Sequence, residues 1–173
     1  REIDVLVLSH AHIDHSGLVP RLVAEGYQGP IWSTPATRDL CAIMLMDSAH
    51  IQEYDHAFEV KRAGKRGREA EVEGPLYTKE DVQPALDLFR TTGYEEPVEI
   101  GPGITLTYTD TGHILGSAAI HLDIRNEGRT LRFTFTGDVG RYVDRLLPEP
   151  APFRQADMIV CESTYGDRDH APV

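Results

Sequence analysis

The sequence predicts a mixed α/β layered domain, and three observations carry that expectation. Strand-like runs lie near both ends of the chain. Segments with helical periodicity lie between them. Of 173 residues, 40% are hydrophobic and 26% charged, which supplies a sizeable core and excludes wholesale disorder.

Taken in order, residues 3–8 (IDVLVL) form a short apolar run suited to a buried strand. Ser16 is placed to cap a helix reaching about Glu25, with Pro20 in its first turn and Gly26 as its stop. Residues 31–33 form a second strand. Thr34 and Pro35 then read as N-cap and first helical residue. Leu40, Cys41, Met44, Leu45 and Ile51 give this helix an apolar face extending to about Phe58. Residues 61–68 (KRAGKRGR) hold five bases around Gly64 and Gly67 and read as a loop. Residues 78–92 read as helical, with Pro84 marking a kink or a late start. Strands follow at 104–108, 118–124, 130–136 and 158–161.

Composition excludes several function classes. The net charge of −11, from 28 acids and 17 bases, excludes a surface that adheres to polyanions everywhere. A nucleic-acid partner would need a local positive focus. Arg outnumbers Lys by 14 to 3, a compositional habit without functional meaning. No apolar run approaches the roughly 20 residues of a membrane span, and no signal-peptide pattern opens the chain. Two cysteines cannot build a disulfide framework, which fits a reducing, cytoplasmic setting. The chain opens at Arg1 without Met and reads as a piece of a longer protein.

The strongest motif is His10-x-His12-x-Asp14-His15, at the end of the first strand. From this composition, chance would produce it in roughly one such chain in a thousand. In extended backbone, positions i and i+2 point the same way, so His10 and His12 can reach one metal. Asp14 and His15, on the following turn, can reach a second. Neutral imidazoles with carboxylates suit Zn²⁺. The plain alternative is a polar loop with Asp14 or Ser16 as a helix cap.

Two later residues have the chemistry to complete the site. His113 lies in a glycine-flanked loop (TGHILGS, 111–117) and would be a third nitrogen for the first metal. Asp138 follows a strand in TGD (136–138) and has two oxygens with which to bridge both. Alone, each is a weak signal: a loop histidine is usually on the surface, and Gly-Asp is usually a turn. Two zinc ions ~3.5–4 Å apart would acidify a bridging water to hydroxide near neutral pH. Two Zn²⁺ against two carboxylates and hydroxide leave about one positive charge, which suits an anionic substrate such as a phosphodiester.

These residues resemble the metallo-β-lactamase superfamily. Within it, PLYTKED (75–81), GHILGSA (112–118), FTGDVGR (135–141) and CESTYGDRDH (161–170) are similar to the β-CASP RNA-processing nucleases. The group with the cleavage-and-polyadenylation endonuclease subunit and its bacterial and archaeal relatives is the nearest match, and LMDSAHIQEYD (45–55) fits that group's long helix. The resemblance implies an αββα sandwich, only partly covered by this chain. Residues 1–160 would be part of the metallo-β-lactamase domain, and 161–173 the entry to an absent β-CASP domain. It implies that His10, His12 and His113 hold one zinc, that Asp14 and His15 hold the other, and that Asp138 bridges. Asp14 would also position the attacking water. Glu162 would orient a general-acid histidine that lies beyond this chain.

The activity so implied is a zinc-dependent ribonuclease, endo- or 5′-exonucleolytic, acting on single-stranded RNA through a metal-bridging hydroxide. This fragment, lacking a further zinc ligand, the proton donor and the substrate cleft, is expected to be inactive alone. A homodimer is compatible with the resemblance, and no residue pattern sets the oligomeric state. The competing reading is a hydrolase of a small-molecule ester, thioester or lactam, which explains the metal motif but not ESTYGDRDH. A non-catalytic scaffold subunit would have lost ligands, and all six positions are intact. A redox di-iron protein would carry Glu where His12 stands.

Other residues receive plain readings. KRAGKRGR reads as a solvated loop in preference to a phosphate contact, because acids follow at Glu69, Glu71 and Glu73. Cys161 reads as a buried small residue, His50 and His56 as surface residues, and His121 as solvent-facing on a half-buried strand. His170 reads as a structural or hinge contact.

Overall fold

The structure, a computed structural model, describes residues 3–65, 72–142, 146–164 and 166–167. The chain divides into two compact units, Arg1–Thr91 and Thr92–Val173. Among the described residues, no helix is long and apolar enough to cross a membrane.

The first unit holds β1 (Leu6–Val7), α1 (Ile13–Ser16), α2 (Val19–Ala24), β2 (Ile31–Ser33), α3 (Pro35–Gly64), α4 (Lys79–Asp87) and β3 (Phe89–Thr91). Its three strands are parallel, in the order β1-β2-β3. Parallel strands need helical crossovers, and α3 with α4 supplies the one between β2 and β3. Thr34 caps α3 as expected, its hydroxyl accepting the Thr37 N–H at 3.2 Å. The buried face of α3 is Thr37, Cys41, Leu45 and Ala49, one residue per turn. Cys41, Leu45 and Ala49 pack with Leu8, Ile31, Val82, Leu86 and Phe89 into one core. Burial pushes the Cys41 thiol up to about 11, so it stays protonated and unreactive.

Several expectations change. Ser16 does not cap a helix. It closes α1, its hydroxyl donating back to the carbonyls of Ala11 at 2.8 Å and His12 at 3.0 Å. The next helix begins at Val19, with Pro20 in its first turn and Gly26 beyond its end at φ 94°. Neither Ile51 nor Phe58 belongs to the core; they are 51% and 58% exposed. The helix runs through Gly64, so the first part of KRAGKRGR is helical, and residues 66–68 lie outside the described residues. In residues 78–92 only Lys79–Asp87 is helical. The Asp81 carboxylate accepts the Thr78 N–H at 2.7 Å and anchors the first turn, which tolerates Pro84 further in. Phe89–Thr91 is instead a strand, drawn into the sheet by pairing with β2.

The second unit is a five-stranded sheet in sequence order: β4 (Val98–Gly101), β5 (Ile104–Asp110), β6 (Ala118–Asn126), β7 (Arg129–Phe135) and β8 (Met158–Val160). Pairing is antiparallel except for β7 with β8, which is parallel. At the edge, Met158, Ile159 and Val160 are 54%, 52% and 44% exposed. Cys161 is also exposed, which corrects its reading as buried. His170 lies outside the described residues.

His121 is buried, against the solvent-facing expectation. Register places it between Thr107 on β5 and Thr134 on β7. Its Nε2 lies 2.9 Å from the Thr109 hydroxyl and its Nδ1 2.8 Å from that of Thr134. Burial, then the Arg154 cation, hold its proton affinity below the ordinary histidine value; Glu95 and Asp123 pull the other way. A cleft of about 280 Å³ above it, lined also by Asp123, Arg132 and Arg154, includes none of the six predicted metal ligands. In the unfolded chain His121 takes up a proton near 6.5, and in the fold only at lower pH. Between these values the unfolded state binds more protons, so stability falls as pH falls. Melting temperature followed from pH ~7 to ~5 should drop less steeply in His121→Gln than in the wild type. Equal slopes would exclude this histidine as the cause.

Candidate metal centre

Strand ends position the predicted ligands. The chain leaves β1 through Ser9 and His10, anchored by the Leu8 N–H donating to the Trp32 carbonyl at 2.9 Å. His10 is fully buried and His12 partly so. Their facing nitrogens, His10 Nε2 and His12 Nδ1, lie 3.2 Å apart. Two nitrogens each ~2.0–2.1 Å from one tetrahedral zinc lie about 3.3–3.4 Å apart, so the spacing fits a shared ion. Equally, one ring N–H can donate to the other nitrogen while no ion is bound.

The rest of the motif sits around this pair. His15 packs beside His10 with ring centroids 4.1 Å apart. Its Nε2 lies 3.7 Å from the Asp14 carboxylate. Asp14 is largely exposed, on the first turn of α1. His12 takes the N-cap position of that helix, so neither Asp14 nor Ser16 is a cap.

Sequence reasoning missed Ser9. Its hydroxyl lies 3.0 Å from His10 Nδ1 and 3.5 Å from His15 Nδ1. Were His10 Nε2 to hold a metal ion, Nδ1 would carry the proton and donate it to the Ser9 hydroxyl, a contact that orients the ring. The only signal was its place directly before the motif.

In the second unit, His113 and Asp138 come together. His113 Nε2 lies 3.3 Å from Asp138 Oδ2, and both side chains are about a quarter exposed. His113 stands in the loop from β5 to β6, which folds around Ser117, another residue missed. The Ser117 hydroxyl accepts the N–H groups of His113 at 3.0 Å and Ile114 at 3.2 Å, and the Thr111 hydroxyl at 3.0 Å. The Tyr94 hydroxyl donates to the Ser117 carbonyl at 2.9 Å.

Asp138 follows β7 through Gly137, whose φ of 57° favours glycine. The next two N–H groups are both held. Val139 donates to Glu162 Oε1 at 2.6 Å, and Gly140 donates to the Thr111 carbonyl at 2.8 Å. Parallel pairing of β7 and β8 ends the two strands side by side, which brings Glu162 to this turn. Its own N–H donates to the Thr136 hydroxyl at 3.2 Å. Glu162 thus braces the Asp138 turn, an arrangement no sequence pattern foretold. In each unit the donors are imidazoles and carboxylates, side chains of the kind that can ligate a metal ion.

No protein-family model matches the chain. Ribonuclease TTHA0252 of Thermus thermophilus is 35% identical over 172 residues, which is 99% of this chain and 34% of that protein. Transcription termination factor FttA of Pyrococcus abyssi is 36% identical over 166 residues, 95% of this chain and 23% of that protein. The chain therefore spans about a third or less of the length of these relatives. Among solved structures, BJP-1, a subclass B3 metallo-β-lactamase of Bradyrhizobium japonicum, covers 95% of this chain with a TM-score of 0.51 at 16% identity; the match takes in 59% of that enzyme. This likeness shows the fold. Along nearly its whole length the chain is thus similar to a ribonuclease and to a transcription termination factor, and it shares the fold of a metallo-β-lactamase.

Proposed function

We propose that this chain is part of a zinc-dependent ribonuclease that hydrolyses phosphodiester bonds of single-stranded RNA. The observation that carries it is the 35% identity to a ribonuclease along 99% of the chain, with all six ligand positions filled by ligand-type residues. Relatives named as transcription termination factors fit an RNA substrate. Residues 1–160 belong, in this reading, to the metallo-β-lactamase domain, and 161–173 lead toward a β-CASP domain. The cytoplasm is the matching location.

His10, His12 and His113 would hold one zinc, Asp14 and His15 the other, and Asp138 would bridge. When bound, the metals supply Lewis acidity toward the phosphate and toward an attacking water. The protein's own groups do the rest. Ser9 holds the His10 tautomer, Ser117 holds the His113 loop, and Glu162 holds the Asp138 turn. Asp14, exposed and acceptor-only when ionised, would orient the attacking water.

The test uses the whole protein with 5′-labelled single-stranded RNA. Zinc-dependent cutting should stop with a chelator and fall on the order of 10³-fold in Asp14→Ala. Product lengths separate endonuclease from 5′-exonuclease. No cutting of varied RNAs by zinc-loaded protein would overturn the reading in favour of a small-molecule hydrolase.

A further inference from the structure

The long helix α3 has two faces that differ in what covers them. Its core face, Thr37 to Ala49, is buried. Further along, residues 73–79 cover a flank. Gln52 accepts the Leu76 N–H at 3.0 Å, Glu53 pairs with Lys79 at 3.2 Å, and His56 Nδ1 lies 2.9 Å from the Glu73 carbonyl. The opposite face carries Ile51, Tyr54, Phe58, Lys61 and Lys65, spaced by three, four, three and four residues. That spacing makes one stripe along a helix. Its rings are conspicuously bare, Tyr54 67% and Phe58 58% exposed. Lys61, Arg62 and Lys65 are exposed too.

Cations at a helix C-terminus complement its dipole, and that alone would account for Lys61 and Arg62. It does not account for two uncovered aromatic rings one turn before them. Nearby acids do not cancel the stripe. Glu59 lies three residues before Arg62 and can pair with it, and Asp55 lies three before Phe58, but neither Lys61 nor Lys65 has an acid three or four residues before it, and Asp47 lies at the far end. A partner helix would want the stripe to continue apolar. Here it ends in cations about 5 Å and 10 Å along the axis from Phe58. Flat rings followed by positive charge suit bases followed by phosphates.

We propose that this stripe of α3 is a binding surface for single-stranded RNA, with Tyr54 and Phe58 stacking on bases and Lys61, Arg62 and Lys65 meeting phosphates. It supplies the local positive focus that a chain of net charge −11 requires. The proposal rests on the ribonuclease reading and adds to it a surface apart from the metal ligands.

The test measures anisotropy of fluorescein-labelled single-stranded RNA on the whole protein, with a chelator present to prevent cutting. Tyr54→Ala with Phe58→Ala should weaken binding at least about fivefold. Lys61→Ala with Lys65→Ala should lower the slope of log affinity against log salt by about 1.4. Tyr54→Phe and Lys61→Arg should keep wild-type affinity. In cleavage assays with zinc, the alanine variants should raise KM and leave kcat unchanged. Unchanged melting temperatures show that these exposed positions did not alter the fold. If the wild type binds and cuts RNA while the alanine variants match it in affinity and salt slope, the proposal is overturned, and the stripe is left to a protein partner. If the wild type neither binds nor cuts RNA, the ribonuclease reading itself fails, and this proposal with it.

Discussion

Asp138→Ala is expected to reduce zinc-dependent RNA cleavage on the order of 10³-fold, the scale of removing one preorganised charge-stabilising group. Metal content should fall as well, because in the proposed site Asp138 would serve both ions. The turn around Asp138 is held by main-chain bonds, from the Val139 N–H to Glu162 and from the Gly140 N–H to the Thr111 carbonyl. Neither uses the Asp138 side chain, so the alanine variant should fold and melt like the wild type. Asp138→Asn keeps the shape and loses the charge, and it should fail nearly as badly. Elemental analysis of the purified protein and single-turnover cleavage measure the two effects separately. Full metal content with an unchanged rate would remove Asp138 from the site.

Gly140→Ala is expected to disable the site without touching a ligand. A Cβ at Gly140 would overlap the Gly112 carbonyl and lie 2.8 Å from the His113 backbone nitrogen. Those are backbone atoms, which cannot turn aside as a side chain can. The loop must shift, and with it the 3.3 Å approach of His113 to Asp138. Gly112 cannot absorb the movement easily. Its φ is +61°, and a Cβ placed there would overlap the Pro148 carbonyl. Overpacking of this kind costs about 1–3 kcal/mol of stability. Displacing a ligand loop should cost a further ~10–100-fold in metal affinity, the scale seen for groups that orient ligands. Gly74→Ala is the control, since its Cβ would meet nothing within 4 Å. Zinc titration and thermal melting of the two variants decide the matter. Equal zinc affinity in both would show that the loop yields.

Much of this was legible in the sequence, for identifiable reasons. HAHIDH is local, and strand-end geometry brings its side chains together without long-range information. His113 and Asp138 are 25 residues apart; each alone is a weak signal, and they were joined to the motif by their ligand chemistry and then by the family resemblance. Thr34 and Pro35 announced the start of α3 because caps act within one turn. What failed depended on distant partners. Phe89–Thr91 reads as the tail of a helix until β2 offers it a ladder. Alternation around His121 implies a wet face only if that face is wet, and here threonines on both neighbouring strands enclose it. Ser9, Ser117 and Glu162 were invisible in their bracing roles, because a serine or glutamate that steadies another group has no spacing of its own.

The edge strand β8 has a consequence for how the molecule behaves in a crowd. Among the described residues it pairs only with β7, and its three residues are about half exposed and apolar. Such an edge is a template on which another copy can dock its own strand. The charge of −11 on these 173 residues would make copies of this segment repel one another at a distance. That repulsion is screened within about 10 Å at 0.1 M salt and about 3 Å at 1 M. For this segment, colloidal stability should therefore depend on ionic strength as well as on folding, with association expected to rise with salt.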